Sequence, residues 1–181
     1  AAVTAGGVLP PLPRLFSVPA TQNPVWLAGT FPLPEAQLGR FLLQLSMGYH
    51  DLDAERQVIL GNANNLEVEG LQPVVGTKEV LEMISFAADV EIATPVQTYI
   101  LEITQATRKD PALLRGAGPR ASIALLKASK VAAAADGRTR VFPEDVKALL
   151  RPVLGHRMML TPDAVLRGEA IDPPRTGPRG G

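Results

Sequence analysis

The sequence predicts an α/β segment followed by an all-α helical domain. Three observations carry that expectation. Short strand-like apolar runs occur only before Asn62. Asn, Gly and Pro then accumulate between Asn62 and Gly76, a break in character. Beyond it, apolar residues recur at helical spacing to about Val153. A chain of 181 residues has room for one domain or two small ones. The expected boundaries are an α/β part over 1–65, a helical domain over 66–160, and a partly disordered tail over 161–181.

The first element expected is a small hairpin over Val3–Val8, turning at Gly6-Gly7. Pro10-Pro11-Leu12-Pro13 follows as a stiff extended connector. Leu15–Thr21 is short and apolar and reads as a buried strand, with Pro19 pushing it toward an edge or bulge. Pro34–Leu38 holds a turn or two of helix with proline at its first position. Phe41–Met47 alternates and reads as a second strand. Asp51–Ala63 reads as a helix whose first turn carries Asp51, Asp53 and Glu55, where negative charge meets the positive end of the dipole.

The helical domain is expected to open with Thr77 capping a helix through Ala88, with Val80, Leu81, Ile84 and Ala88 on one face. Thr94-Pro95 starts the next, with Val96, Tyr99, Ile100 and Ile103 inward. Gly116–Gly118 is a loop, and Pro119 opens an alanine-rich helix that Gly137 stops. Pro143-Glu144-Asp145 opens the last long helix, with Val146, Leu149, Leu150 and Val153 inward. Residues 172–181 hold almost only Pro, Gly and Arg and are expected to be disordered.

Composition narrows the function classes. Lys plus Arg equals Asp plus Glu at 18 each, so no net field draws nucleic acid or an anionic membrane. Cysteine is absent, which excludes disulfides and thiolate zinc sites and fits a cytoplasmic location. Charges and prolines interrupt every apolar run before bilayer-spanning length. No charged segment followed by an apolar one marks a signal peptide, and the chain begins Ala-Ala, as a processed, cut or partial product would.

Three residues draw attention as chemistry. Asn23 ends an apolar run, where an amide both accepts from a water and donates to a phosphate oxygen. Read alone, Thr21–Asn23 satisfies a turn before Pro24 just as well. Arg40 follows a short helical segment and offers the fixed fork that phosphoryl transfer uses; a surface arginine between two elements is the plainer account. Arg120 sits beside Pro119 at a helix start, a natural anion site, although a cation there opposes the dipole. Metal sites are not expected. The Asp51-Asp53-Glu55 set lacks the glycine and the distal glutamate of a calcium loop, and His50 and His156 have no ligand-like spacing. No Gly-x-Ser-x-Gly elbow occurs.

These segments together resemble the MoxR family of AAA+ ATPases, from about Val3 to Leu160. Ala20-Thr21-Gln22-Asn23-Pro24 resembles the family's sensor 1 segment, which implies Asn23 as the sensor. Gly29–Phe41 resembles its most characteristic stretch and implies Arg40 as the arginine finger. Thr107-Arg108 resembles a short lid signature, and Gly116–Ala121 resembles the sensor 2 segment, implying Arg120. Asp145–Ala148 and Val153–Arg157 resemble the end of the lid. The resemblance implies a partial AAA+ nucleotide-binding subdomain followed by a helical lid. It implies ATP and Mg2+ as ligands of the intact protein, a homo-oligomeric ring of six subunits, and chaperone-like remodelling of partners, among them von Willebrand factor A domain proteins. No membrane or nucleic-acid partner is expected.

Departures from the family pattern include Trp26, Gly39 for aspartate, Gly118 for serine, Phe142 for a capping threonine, and Pro19. No Gly-Lys dipeptide and no apolar strand ending in Asp-Glu occurs in the 181 residues. The chain alone is therefore expected neither to bind nor to hydrolyse ATP. The alternative expectation is an ATPase-dead interaction module or ring-capping subunit.

Overall fold

Backbone hydrogen bonds decide where this chain is regular. The structure is a computed structural model and describes residues 13–22, 35–49, 51–63 and 72–171. Helix α1 (Glu35–Leu38) is a single turn. Helix α2 (Leu52–Ala63) begins where the Asp51 carboxylate accepts the Ala54 N–H at 2.8 Å. The acidic first turn is thus a helix start, and among the described residues no group of three acidic or histidine side chains could hold a metal ion.

Among the described residues the two expected strands are not formed: 15–21 and 43–49 join no ladder, and Gly48 breaks the second run at φ +65°. Leu15, Phe16, Val18, Leu45 and Met47 are exposed, not buried. A strand exists only when a neighbour supplies its N–H and C=O partners, and local alternation cannot provide one. The hairpin expected at Val3–Val8, Pro10 and Pro11 of the connector, Trp26, His50 and the tail 172–181 lie outside the described residues.

The helical domain forms much as its periodicity implies. Helices α3 (Thr77–Asp89), α4 (Thr94–Lys109), α5 (Pro119–Ala135) and α6 (Pro143–Leu154) supply most of the core. Helix α5 is the centre, packed on α3, α4 and α6. Its buried residues are mostly small: Ala121, Ala124, Ala128, Ser129 and Ala133 surround Leu125. Small side chains let the neighbouring backbones approach closely, so the alanine-rich run is packing and not a cofactor pocket. Ile100 and Ile103 from α4 and Val146, Leu150 and Val153 from α6 complete the interior. Helix α3 departs from its expected stripe: Ala87 is buried, whereas Ile84 and Ala88 are exposed.

Caps differ in detail from the expected ones. Gly76, not Thr77, is the N-cap of α3, and the Glu79 carboxylate accepts the Gly76 N–H at 2.6 Å. Phe142 is the N-cap of α6 and has no polar side chain to offer. Asp145, three residues on, accepts the Phe142 N–H at 2.8 Å and takes a two-pronged ion pair from Arg138 at 2.6 and 2.8 Å. The reciprocal half of a capping box thus survives without its threonine. Gly137, at φ +71°, ends α5 in the left-handed conformation that favours glycine.

A two-stranded antiparallel sheet was not expected in an all-α domain. Strand β1 (Leu113–Arg115) pairs with β2 (Met159–Leu160), with an irregularity between Leu113 and Arg115. A 3-10 turn (Gly155–Arg157) connects α6 to β2, and the short helix α7 (Pro162–Leu166) follows. Elements of two and three residues are too short to leave a period in the sequence. No helix among the described residues is long and apolar enough to cross a membrane.

The Arg138 guanidinium, with help from the Phe142 N–H, holds the Asp145 carboxyl below its usual range against the opposing effect of burial. A carboxylate whose folded pKa is depressed contributes stability that is full above its unfolded value near 4 and is lost as pH falls through the folded value. Asp145→Asn is therefore expected to lower stability at pH 7 and to flatten the loss below about pH 4. Thermal melts at pH 7 and pH 3 read this; equal acid sensitivity in both proteins would contradict it.

Candidate functional site

The start of α5 is held by side chains from the end of α4. Thr107, fully buried, donates its hydroxyl to the Thr104 carbonyl at 2.7 Å and accepts the Ala117 N–H at 2.9 Å. Arg108 Nε donates to the Ala117 carbonyl at 2.7 Å. Both backbone polar groups of Ala117 are thus satisfied by two adjacent residues of α4, in a loop that buries Ala117 completely. Ser122 donates to the Thr104 hydroxyl at 3.0 Å and ties the first turn of α5 to the same helix. The loop lies so close to α4 that a Cβ on Gly116 would stand 2.5 Å from the Thr107 carbonyl oxygen.

This lock sets the direction from which α5 emerges and hence the position of Arg120 at its first turn. Arg120 is exposed, and among the described residues its side chain has no hydrogen-bond or ion-pair partner. Gly118, the N-cap, provides no side-chain acceptor; Pro119 has no N–H and the Ala121 N–H donates to the Gly118 carbonyl at 2.9 Å, so the Arg120 N–H is the first-turn donor left for an anion.

Arg40 lies in a turn that leaves α1, with its own N–H on the Gln37 carbonyl and the Phe41 N–H on the Leu38 carbonyl, each at 3.0 Å. Its side chain is exposed and unpaired among the described residues. A side chain on Gly39 would meet nothing within 4 Å, so glycine is not required there by packing.

The arginine absent from the sequence-level candidates is Arg157. Its Nη2 donates to the Phe41 carbonyl at 2.6 Å and its Nη1 to the Arg120 carbonyl at 3.3 Å. One guanidinium therefore spans the backbones that carry Arg40 and Arg120. His156 Nε2 also lies 3.0 Å from the Phe41 carbonyl oxygen. Burial, reinforced by the Arg157 charge, holds the His156 pKa below its usual value, so the ring is neutral at pH 7. The Phe41 carbonyl can only accept, and Arg157 Nε, 3.2 Å from the same nitrogen, can only donate, so Nε2 serves one of the two in each tautomer of the neutral ring.

His156 and Phe41 also line a cleft of about 160 Å³, together with Gln22, Leu38 and Gln44. That volume is below the roughly 300 Å³ at which small-molecule sites begin. Gln22 is the last described residue before Asn23, and Asn23 itself lies outside the described residues. The structure thus brings the Arg40 and Arg120 segments together; the position of Asn23 is not part of that description.

Comparison with known proteins agrees at both ends of the chain. Residues 1–43 match the family described as ATPase family associated with various cellular activities (AAA), and residues 105–175 match the AAA lid domain. Chaperone MoxR1 of Mycobacterium tuberculosis is 34% identical over 172 residues, covering 90% of this chain and 45% of its own length. The chain belongs to the MoxR family of AAA+ proteins. The uncharacterized protein YeaC of Bacillus subtilis is 40% identical over 166 residues, covering 92% of this chain and 52% of its own length. Protein MoxR of Paracoccus denitrificans is 28% identical over 174 residues, covering 85% of this chain and 51% of its own length. A crystal structure of a "putative ATPase" from Cytophaga hutchinsonii superposes with a TM-score of 0.82 at 34% identity, covering 93% of this chain and 54% of that one. This MoxR-family chain thus spans about half the length of the curated relatives it matches. Its helical domain is the AAA+ lid, following part of the ATPase subdomain.

Thr107-Arg108 and Val153–Arg157 were legible only as resemblances. Their physical work is to hold the Ala117 peptide and the Phe41 carbonyl.

Proposed function

We propose that this MoxR-family chain supplies the lid and the arginine-bearing edge of an ATP-driven machine that remodels or matures partner proteins. The observation that carries the reading is the Arg157 bridge, which ties the segments of two exposed arginines, unpaired among the described residues, to one edge of the lid. Exposed guanidiniums are donor-only groups, and Arg120 adds a helix N-terminus, so the donor set fits phosphate oxygens. Among the described residues no acidic cluster fits Mg2+. When bound, ATP supplies the γ-phosphoryl group whose transfer to water drives the cycle.

In this reading Arg40 reaches outward to the nucleotide of a neighbouring subunit and stabilises charge that develops on transfer. Arg120 contacts the terminal phosphate and passes its presence or absence to α5 and the lid. Asn23 orients the attacking water. The ring has six subunits, the compartment is the cytoplasm, and the clients include von Willebrand factor A domain proteins. The isolated chain holds the sensing groups without the phosphate-cradling loop and so neither binds nor hydrolyses ATP measurably on its own.

Two measurements test this. Calorimetry on the isolated chain is expected to show no micromolar ATP site. A full-length protein containing the chain is expected to bind ATP and hydrolyse it. A full-length protein that neither binds nor hydrolyses ATP would overturn the reading and favour an ATPase-dead interaction module.

A further inference from the structure

Most arginines that lose solvent are matched by a carboxylate, because an unpaired buried charge is costly. Arg157 is half-buried, and burial pulls its pKa down, yet no carboxylate pairs with it among the described residues. Its charge is spent on two backbone carbonyls, those of Phe41 and Arg120. The Phe41 carbonyl accepts Arg157 Nη2, and His156 Nε2 lies 3.0 Å from the same oxygen. A third tie lies alongside, where the Gln44 N–H donates to the Pro152 carbonyl at 2.8 Å. His156, Arg157 and Pro152 all belong to the last turn of α6 and the 3-10 turn after it.

We infer that Arg157 is a positioning residue, which with His156 clamps the Gly39–Arg40–Phe41 turn to the first turn of α5. The two exposed arginines then move with the lid as one unit. A change felt at Arg120 is delivered to Arg40 through a single planar fork and not through the length of the chain. Lysine cannot substitute, since a point charge on one nitrogen does not span two carbonyls. The clamp rests on the geometry alone; its value to turnover rests on the function proposed above.

Amide hydrogen exchange on the whole chain tests the clamp. Arg157→Gln and Arg157→Lys are each expected to accelerate exchange across residues 41–44 at least tenfold, with α4 and α5 unchanged. His156→Phe, which removes the Nε2 contact and keeps an aromatic ring, is expected to give a smaller acceleration at the same residues. Unchanged exchange at 41–44 would overturn the clamp. So would equal acceleration in α4 and α5, which would make Arg157 merely structural. In a full-length ATP-hydrolysing protein, Arg157→Gln is expected to lower kcat at least tenfold with KM within about twofold. The Arg40→Ala, Arg157→Gln double variant is expected to be no slower than Arg40→Ala alone, since the second change removes only the placement of a group already gone. Multiplying losses would overturn the positioning role. Full turnover in Arg40→Ala would reject the finger assignment, and the exchange data would still decide the clamp.

Discussion

Arg40→Ala is expected to reduce ATP turnover in a full-length protein by about three to five powers of ten while leaving ATP binding intact. Each tenfold corresponds to about 1.4 kcal/mol of barrier, so the guanidinium is asked for roughly 4–7 kcal/mol of transition-state stabilisation. That magnitude is reasonable only for a group free to reach the transferring phosphoryl. Arg40 is exposed at the end of a tight turn and, among the described residues, carries no partner that would have to be given up. The turn behind it is anchored through Phe41, so little conformational freedom is lost on engagement. Arg40→Lys is expected to recover only a small part of the loss, because the fork cannot be replaced by a point charge. Single-turnover hydrolysis with saturating ATP, alongside a nucleotide-binding titration, reads both quantities. Turnover within tenfold of the unmodified protein would reject the role.

Gly116→Val is expected to destabilise the lid by about 3 kcal/mol or more, the upper range for forced overpacking. The atoms a Cβ would strike are backbone: Thr107 carbonyl oxygen at 2.5 Å, Thr107 carbonyl carbon at 2.6 Å and Arg108 nitrogen at 2.7 Å. None can rotate away, so the loop must lift off α4. Lifting it breaks the Thr107 and Arg108 bonds to Ala117 and leaves buried polar groups unpaired. For a domain of this size the melting temperature is expected to fall by roughly 10–20 °C. Gly118→Ser is the matched control, two residues on, where a Cβ meets nothing within 4 Å. A serine hydroxyl at that N-cap is expected to leave stability unchanged or raise it by a few tenths of a kcal/mol. Circular-dichroism melts of the two variants separate steric conflict from loss of glycine as such; a Gly116→Val melt within about 2 °C of the parent would contradict the argument.

The helices α3–α6 were legible because their signals are local. Ile100, Ile103, Val146, Leu150 and Val153 recur at the helical period, and Pro95, Pro119 and Pro143 stand in first turns. Arg40 and Arg120 were legible as candidates only through the order of motifs around them. What failed was non-local. Leu15–Thr21 and Phe41–Met47 have strand composition, but pairing depends on residues that local patterning does not specify. Leu113 finds Leu160, and Arg157 finds Phe41, across separations that no window reads. His156 was set aside for want of metal-ligand spacing, whereas its Nε2 sits against a main-chain oxygen and the Arg157 guanidinium. Phe142 looked like a missing cap because the compensating contact comes from Asp145 and not from the cap itself.

Leu160 pairs with Leu113, Thr161 donates its N–H to the Ala112 carbonyl at 2.9 Å, and Ala164 is fully enclosed. Anyone excising the lid as a separate specimen cannot stop where the last long helix stops. A cut after Leu154 would strip away the buckle that fastens the far end of α4, and with it both side chains that reach the Phe41 carbonyl. The shortest self-sufficient piece has to carry the chain past Ala164.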